Sequence, residues 1–266
     1  MLVVAPIVIL FIGGMIYLLV NLTGETLASR SEDALALDLQ QALARMEDDV
    51  KTSDRFLAAT DITLTNTGQG YGDTTSANST TKFTNVPVSG GSPASLVLRS
   101  IAINGNPNDP ATRPVYLANA PNACTNPNIY SANTVMTVNI VYFTDTNGTL
   151  WRRTLLPENY SSGSYICGAA PWQLPSCIVG YATTRTFCKT SDEKIAEGAS
   201  FSFAYYTNAS TGTADTTATN ASATEAARNT ALDATKTVRV TLTTAKTAAG
   251  RDISQSGTAY LTRIYN

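Results

Sequence analysis

From Met1 to Thr23 the chain carries no charged side chain, and beyond that run the apolar positions settle into a helical period. Leu35, Leu39, Ala42, Met46, Val50 and Leu57 recur at steps that place them on one face, while Asp33, Gln40, Arg45, Asp48, Asp49 and Lys51 fall elsewhere. The pattern predicts a helix over residues 1–57. Its distal part, 24–57, is amphipathic and lies on a globular core, while 1–23 projects beyond it. A run of that length, at about 1.5 Å per residue, makes roughly 35 Å of helix against a bilayer core of about 30 Å. No soluble domain surrounds so long a helix with apolar side chains, so lipid or copies of the same helix must cover it. Asn21 and Gly24 are poor helix formers and predict loosening at the junction; Pro6 predicts a kink or the start of the regular helix.

Residues 58–266 read as a β-rich head. Ser95–Asn104 forms a strand behind the Gly90-Gly91 turn. Thr134–Phe143 and Leu150–Leu156 form a hairpin around Asp145-Thr146-Asn147-Gly148, whose Asn-Gly supplies the positive φ such turns need. Further strands are expected at Ser200–Thr207, Thr237–Thr243 and Ala259–Tyr265, with a short helix at Ala223–Ala234. Val238, Val240 and Leu242 alternate with Arg239, Thr241 and Thr243, so one sheet face is buried, and the helix stripe is its natural cover. The expected fold class is α+β: a long N-terminal helix packed on an antiparallel sheet. Thr65–Thr84 and Asn208–Thr224 read as polar surface loops.

Composition narrows the chemistry. Net charge is -2 with 14% charged residues, and no basic stretch exceeds Arg152-Arg153, which argues against nucleic acid as the main partner. The absence of histidine excludes Ser-His-Asp catalysis and His-ligated zinc. Cys124, Cys167, Cys177 and Cys188 all follow the apolar run and read as two disulfides. Pairing Cys177 with Cys188 and Cys124 with Cys167 closes modest loops, but three connectivities stay open, and buried thiols are the alternative.

The first line does not fit a secretory signal, which needs a basic start, a short apolar core and a small-residue cleavage site. MLVVAPIVILFIGGMIYLLV, followed by ETLASRSEDALALDLQQALARMEDDV, resembles the N-terminal helix of type IV pilins and pseudopilins. In that family a basic leader ending in glycine precedes a phrase like FTLIEMLVVIAIIGIL. Met1-Leu2-Val3-Val4 matches the MLVV after its glutamate, so the resemblance implies a chain beginning a few residues into the mature subunit. No residue here takes the role of that glutamate, which pairs with a neighbour's amino terminus in the family. The closing segments Val238–Thr243 and Thr258–Arg263, and the return strand Gly148–Arg153, resemble strands of larger minor pilins more loosely.

The resemblance implies a pilin "lollipop" that is first a single-pass cytoplasmic-membrane protein and then a surface filament subunit. Leu2, Val3, Val4, Pro6, Ile9, Leu10, Phe11, Gly13, Gly14, Tyr17 and Leu18 would form the membrane or filament-core helix, with the two glycines permitting close helix approach. Implied partners are identical or homologous pilins, a prepilin peptidase, a platform protein and assembly ATPases. Major pilin, minor pilin and secretion-system pseudopilin all stay open, and a solitary membrane-anchored binding protein is the alternative from another class.

Candidate chemistry elsewhere is sparse. Glu47-Asp48-Asp49 reads as a solvated acidic face, without the alternating ligands of a calcium loop. Trp151, Trp172, Tyr160, Tyr165, Tyr181, Tyr205 and Tyr206 suit either a surface ligand or ordinary packing. Sequons at Asn78, Asn147, Asn159, Asn208 and Asn220 are frequent by chance in so Thr/Asn-rich a chain. No nucleophile-base or paired-carboxylate arrangement stands out, so no catalytic, metal or cofactor site is assigned and an enzyme is not expected.

Overall fold

The computed structural model describes residues 4–57, 95–116, 135–144, 148–155, 170–174, 192–207, 212–218 and 223–264, with the leading helix's side chains described from Ile12 onward. Leu2, Val3, the four cysteines and the five sequons therefore lie outside the described residues, as do Tyr160, Tyr165 and Tyr181.

Helix α1 (Val4–Lys51) runs unbroken through Asn21 and Gly24, where the sequence predicts loosening. The hydroxyls of Thr23, Thr26 and Ser31 donate to the carbonyls of Leu19, Leu22 and Leu27 at 2.7–2.9 Å, so these polar residues turn their donors back onto the helix. Its end comes earlier than 57. The Thr52 hydroxyl bonds the carbonyls of Asp48 and Asp49, and the Ser53 hydroxyl bonds that of Val50, taking up carbonyls the helix would leave open. Strand β1 (Ser53–Phe56) begins at once. Leu57 is thus corrected from the helix stripe: its N–H donates to the Val97 carbonyl at 3.0 Å, and its half-buried side chain meets the core from the strand's end.

The described residues of the head form two antiparallel sheets, giving an α+β architecture. One has the order β1, β2 (Ser95–Ile101), β3 (Thr137–Thr144), β4 (Leu150–Leu155), β5 (Glu193–Ala196). The other joins β6 (Ala199–Tyr206), β7 (Thr237–Ala248) and β8 (Arg251–Thr262). Helix α2 (Glu225–Ala234) lies between β6 and β7 in sequence, with the Thr224 hydroxyl capping its start. The chain passes from one sheet to the other at Gly198, whose φ is 57° and where an added Cβ would stand 2.2 Å from the Ala245 carbonyl oxygen; only glycine fits there. The β3–β4 hairpin and the alternation of β7 agree with the sequence. The β7–β8 hairpin is longer than its pattern suggests, because Ala249 and Gly250 (φ 52° and 74°) turn the chain tightly and let pairing continue to Ala248 and Arg251.

Leu35, Leu39, Ala42, Met46 and Val50 are buried as the helical period predicts. Leu39, Ala42, Met46 and Val50 join a single core with residues of both sheets, while Leu35 and Ala28 pack on Ile253. β8 runs beside α1 in the same sense: Ile253 lies by Leu35, Gly257 by Leu39 and Leu43, and the Ile264 N–H reaches the Lys51 carbonyl at 3.3 Å. Gly257 is what permits the approach, since a Cβ there would meet both leucine side chains at 3.1 Å.

Candidate assembly surface

The last turns of α1 are fixed by a charge that the sequence reading places in solvent. Asp49 is three residues beyond Met46 and so falls on the buried face; it is fully buried, as is Arg152. Arg152 Nε donates to Asp49 Oδ2 at 2.5 Å and Nη2 to Oδ1 at 3.0 Å, a two-pronged pair, and the Tyr142 hydroxyl donates to Oδ2 at 2.6 Å. Tyr142 and Arg152 are direct cross-strand partners on β3 and β4, so the sheet presents both donors together. Arg152 Nη1 also donates to the Thr154 hydroxyl and the Trp172 carbonyl, both at 3.1 Å.

Burial pushes the Asp49 carboxyl up, but the Arg152 charge and hydrogen bonds outweigh it and leave its pKa below the ordinary carboxylate value. Burial and the Asp49 charge hold the Tyr142 hydroxyl well above the usual phenol range. Burial disfavours the Arg152 cation, yet Asp49 raises its pKa further, so it stays charged. Arg153, the other half of the basic pair, points to the opposite sheet face. It pairs with Asp192, and its guanidinium lies 5.1 Å from the Phe143 ring centroid. This network is a clip, without room for a reacting group. Its signal in the sequence is a carboxylate at core spacing on an otherwise apolar stripe.

At the other end α1 leaves the head. From Ile12 to Leu22 every large apolar side chain is 51–67% exposed: Ile12, Met15, Ile16, Tyr17, Leu18, Leu19, Val20 and Leu22. Consecutive residues turn by about 100° along a helix, so the unbroken run from Met15 to Val20 coats the rod on all sides. Covering eight such side chains is worth on the order of 10 kcal/mol, comparable to the whole stability of an ordinary domain. A Cβ added at Gly13, Gly14 or Gly24 would meet nothing within 4 Å, so packing within the chain asks for none of these glycines. No helix among the described residues is long and apolar enough to cross a membrane; the uncharged run of the sequence begins ahead of Ile12, the first described side chain.

Where the rod meets the head, the β7–β8 turn approaches α1 and encloses a notch of about 520 Å³, walled by Leu19, Val20 and Leu27 and rimmed by Glu25 and Arg251. Of the aromatic residues singled out in the sequence, Tyr205 and Tyr206 are buried, Trp151 packs on the core and Trp172 lies under the Arg45 guanidinium at 4.8 Å. All four take part in packing contacts, with Trp151 and Trp172 half-buried.

Comparison with protein-family models, curated proteins and solved structures finds no match for this chain.

Proposed function

We propose that this chain is a structural subunit of a type IV pilus filament, with its helix bundled in the filament core and its head on the surface. The observation that carries the reading is the bare apolar rod: side chains from Ile12 to Leu22 stand in solvent around a helix whose other half is firmly packed. The likeness of residues 1–50 to the pilin N-terminal helix supports it, as does the α+β arrangement of stick and antiparallel head.

In this proposal the helix is first held in the cytoplasmic membrane as a single pass. It then passes into a polymer where neighbouring helices replace lipid. Because the large apolar surface is costly in water, the subunit moves from lipid directly to protein contacts. Gly13 and Gly14, which no contact within the subunit requires, allow neighbouring backbones to approach. The role is structural and non-enzymatic. Its partners are other pilins and, by the resemblance, a prepilin peptidase, a platform protein and assembly ATPases; the surface filament would serve adhesion, motility or DNA uptake.

The test is expression of Gly14→Asp and Ile16→Asp variants in the native cell, with filaments imaged by electron microscopy. Both variants are expected to keep a folded head and to lose filaments. Normal filaments from either variant, or a wild-type molecule found only as a solitary membrane protein, would overturn the proposal.

A further inference from the structure

The notch between the β7–β8 turn and α1 sits where the uncharged run ends. The first charge on the helix is Glu25, on the notch rim, and Arg251 faces it from the hairpin just past Gly250. Among the described residues Arg251 has no ion-pair partner: no salt bridge joins it to Glu25, and its neighbour Asp252 accepts instead from the Thr247 hydroxyl at 2.7 Å. An available guanidinium beside a wall of Leu19, Val20 and Leu27 calls for a ligand that is anionic at one end and apolar at the other.

A second copy of the rod would cover the leucines with its own apolar side chains, but residues 12–24 of that copy bring no carboxylate to the guanidinium. A phospholipid supplies both parts. The phosphate oxygens match the planar guanidinium, and the acyl chains continue along the exposed helix toward Ile12. Long basic side chains at the ends of apolar helices reach for the headgroup layer in this way.

We propose that the tip of the β7–β8 hairpin is a headgroup-binding depth stop, in which Arg251 pairs with the phosphate of an anionic phospholipid while Leu19, Val20 and Leu27 meet its acyl chains. This rests on the reading that the helix is held in a bilayer before assembly. The pairing sets how far the rod sinks and keeps the head upright on the membrane.

The full chain is reconstituted into vesicles of phosphatidylglycerol and phosphatidylethanolamine, and amide deuterium exchange is compared with that in maltoside micelles. The expected result is protection of 4–22 together with a roughly fivefold slowing at the turn, 248–252, the scale of one basic residue at an anionic surface. In Arg251→Glu the slowing at the turn is lost while protection of 4–22 stays. Since the side chain is exposed at a turn, this variant leaves the head folded, which the exchange of β2 and β3 verifies. The inference is overturned if 4–22 is protected but the turn exchanges equally in vesicles and micelles, or if Arg251→Glu keeps the slowing. It is also overturned if the turn slows only in lipid-free filaments, which makes a second copy the occupant. Free exchange of 4–22 in vesicles sinks the bilayer stage itself and the inference with it.

Discussion

The two halves of α1 are continuous in backbone, yet they live by different rules. Between Leu35 and Val50 the buried apolar residues Leu35, Leu39, Ala42, Met46 and Val50 keep to one face, and the opposite face carries Asp33, Gln40 and Glu47 with the exposed Leu37. Between Ile12 and Leu22 apolar residues occupy every direction and none is buried. A one-sided stripe is satisfied by one sheet; an all-round coat requires surroundings on all sides. The contrast teaches that the second half belongs to the fold of this chain, while the fold leaves the first half without cover.

The strongest way to break this division is at the clip. Arg152→Ala leaves Asp49 buried without its cation and is expected to cost about 3–5 kcal/mol, read by denaturant unfolding of the head. The same pair sets an acid limit. The folded pKa of Asp49 lies below its unfolded value of about 3.9, so its contribution is complete above that value and is lost as the pH falls through the lower, folded pKa. Unfolding measured against pH should therefore lose part of its acid dependence in Asp49→Asn. An unchanged acid limb would show that other carboxylates carry it.

A matched pair of truncations sharpens the comparison. Met46→Ala, fully buried, is expected to cost about 2–5 kcal/mol, whereas Leu18→Ala, 60% exposed, should leave head stability within about 0.5 kcal/mol. Equal costs would mean that the rod is covered within the chain itself. The smallest effect tests the seam. Gly257→Ala places a methyl 3.1 Å from Leu39 and Leu43, and because both are flexible side-chain ends the expected loss is about 1 kcal/mol, seen as a lowered Tm.

Much of this was legible where the pattern is local. The stripe from Leu35 to Val50, the β3–β4 hairpin around Gly148 and the alternation of β7 follow from spacing and turn chemistry alone. Strands β1 and β5 were not, because Ser53–Phe56 and Glu193–Ala196 are short, partly charged, and owe their form to partners far along the chain. The division into two sheets turns on Gly198, which reads as any loop glycine until the Ala245 carbonyl is seen beside it. Asp49 reads as solvent-facing because it follows Glu47 and Asp48; its position on the buried face is legible in the spacing, but not the arginine about a hundred residues away that makes burial tolerable.

The side-by-side course of α1 and β8 has a mechanical consequence. Because both run the same way, with contacts from Leu35 beside Ile253 to Lys51 beside Ile264, a tensile load along the rod acts in shear. Every rung resists together, where a crosswise joint would peel one rung at a time.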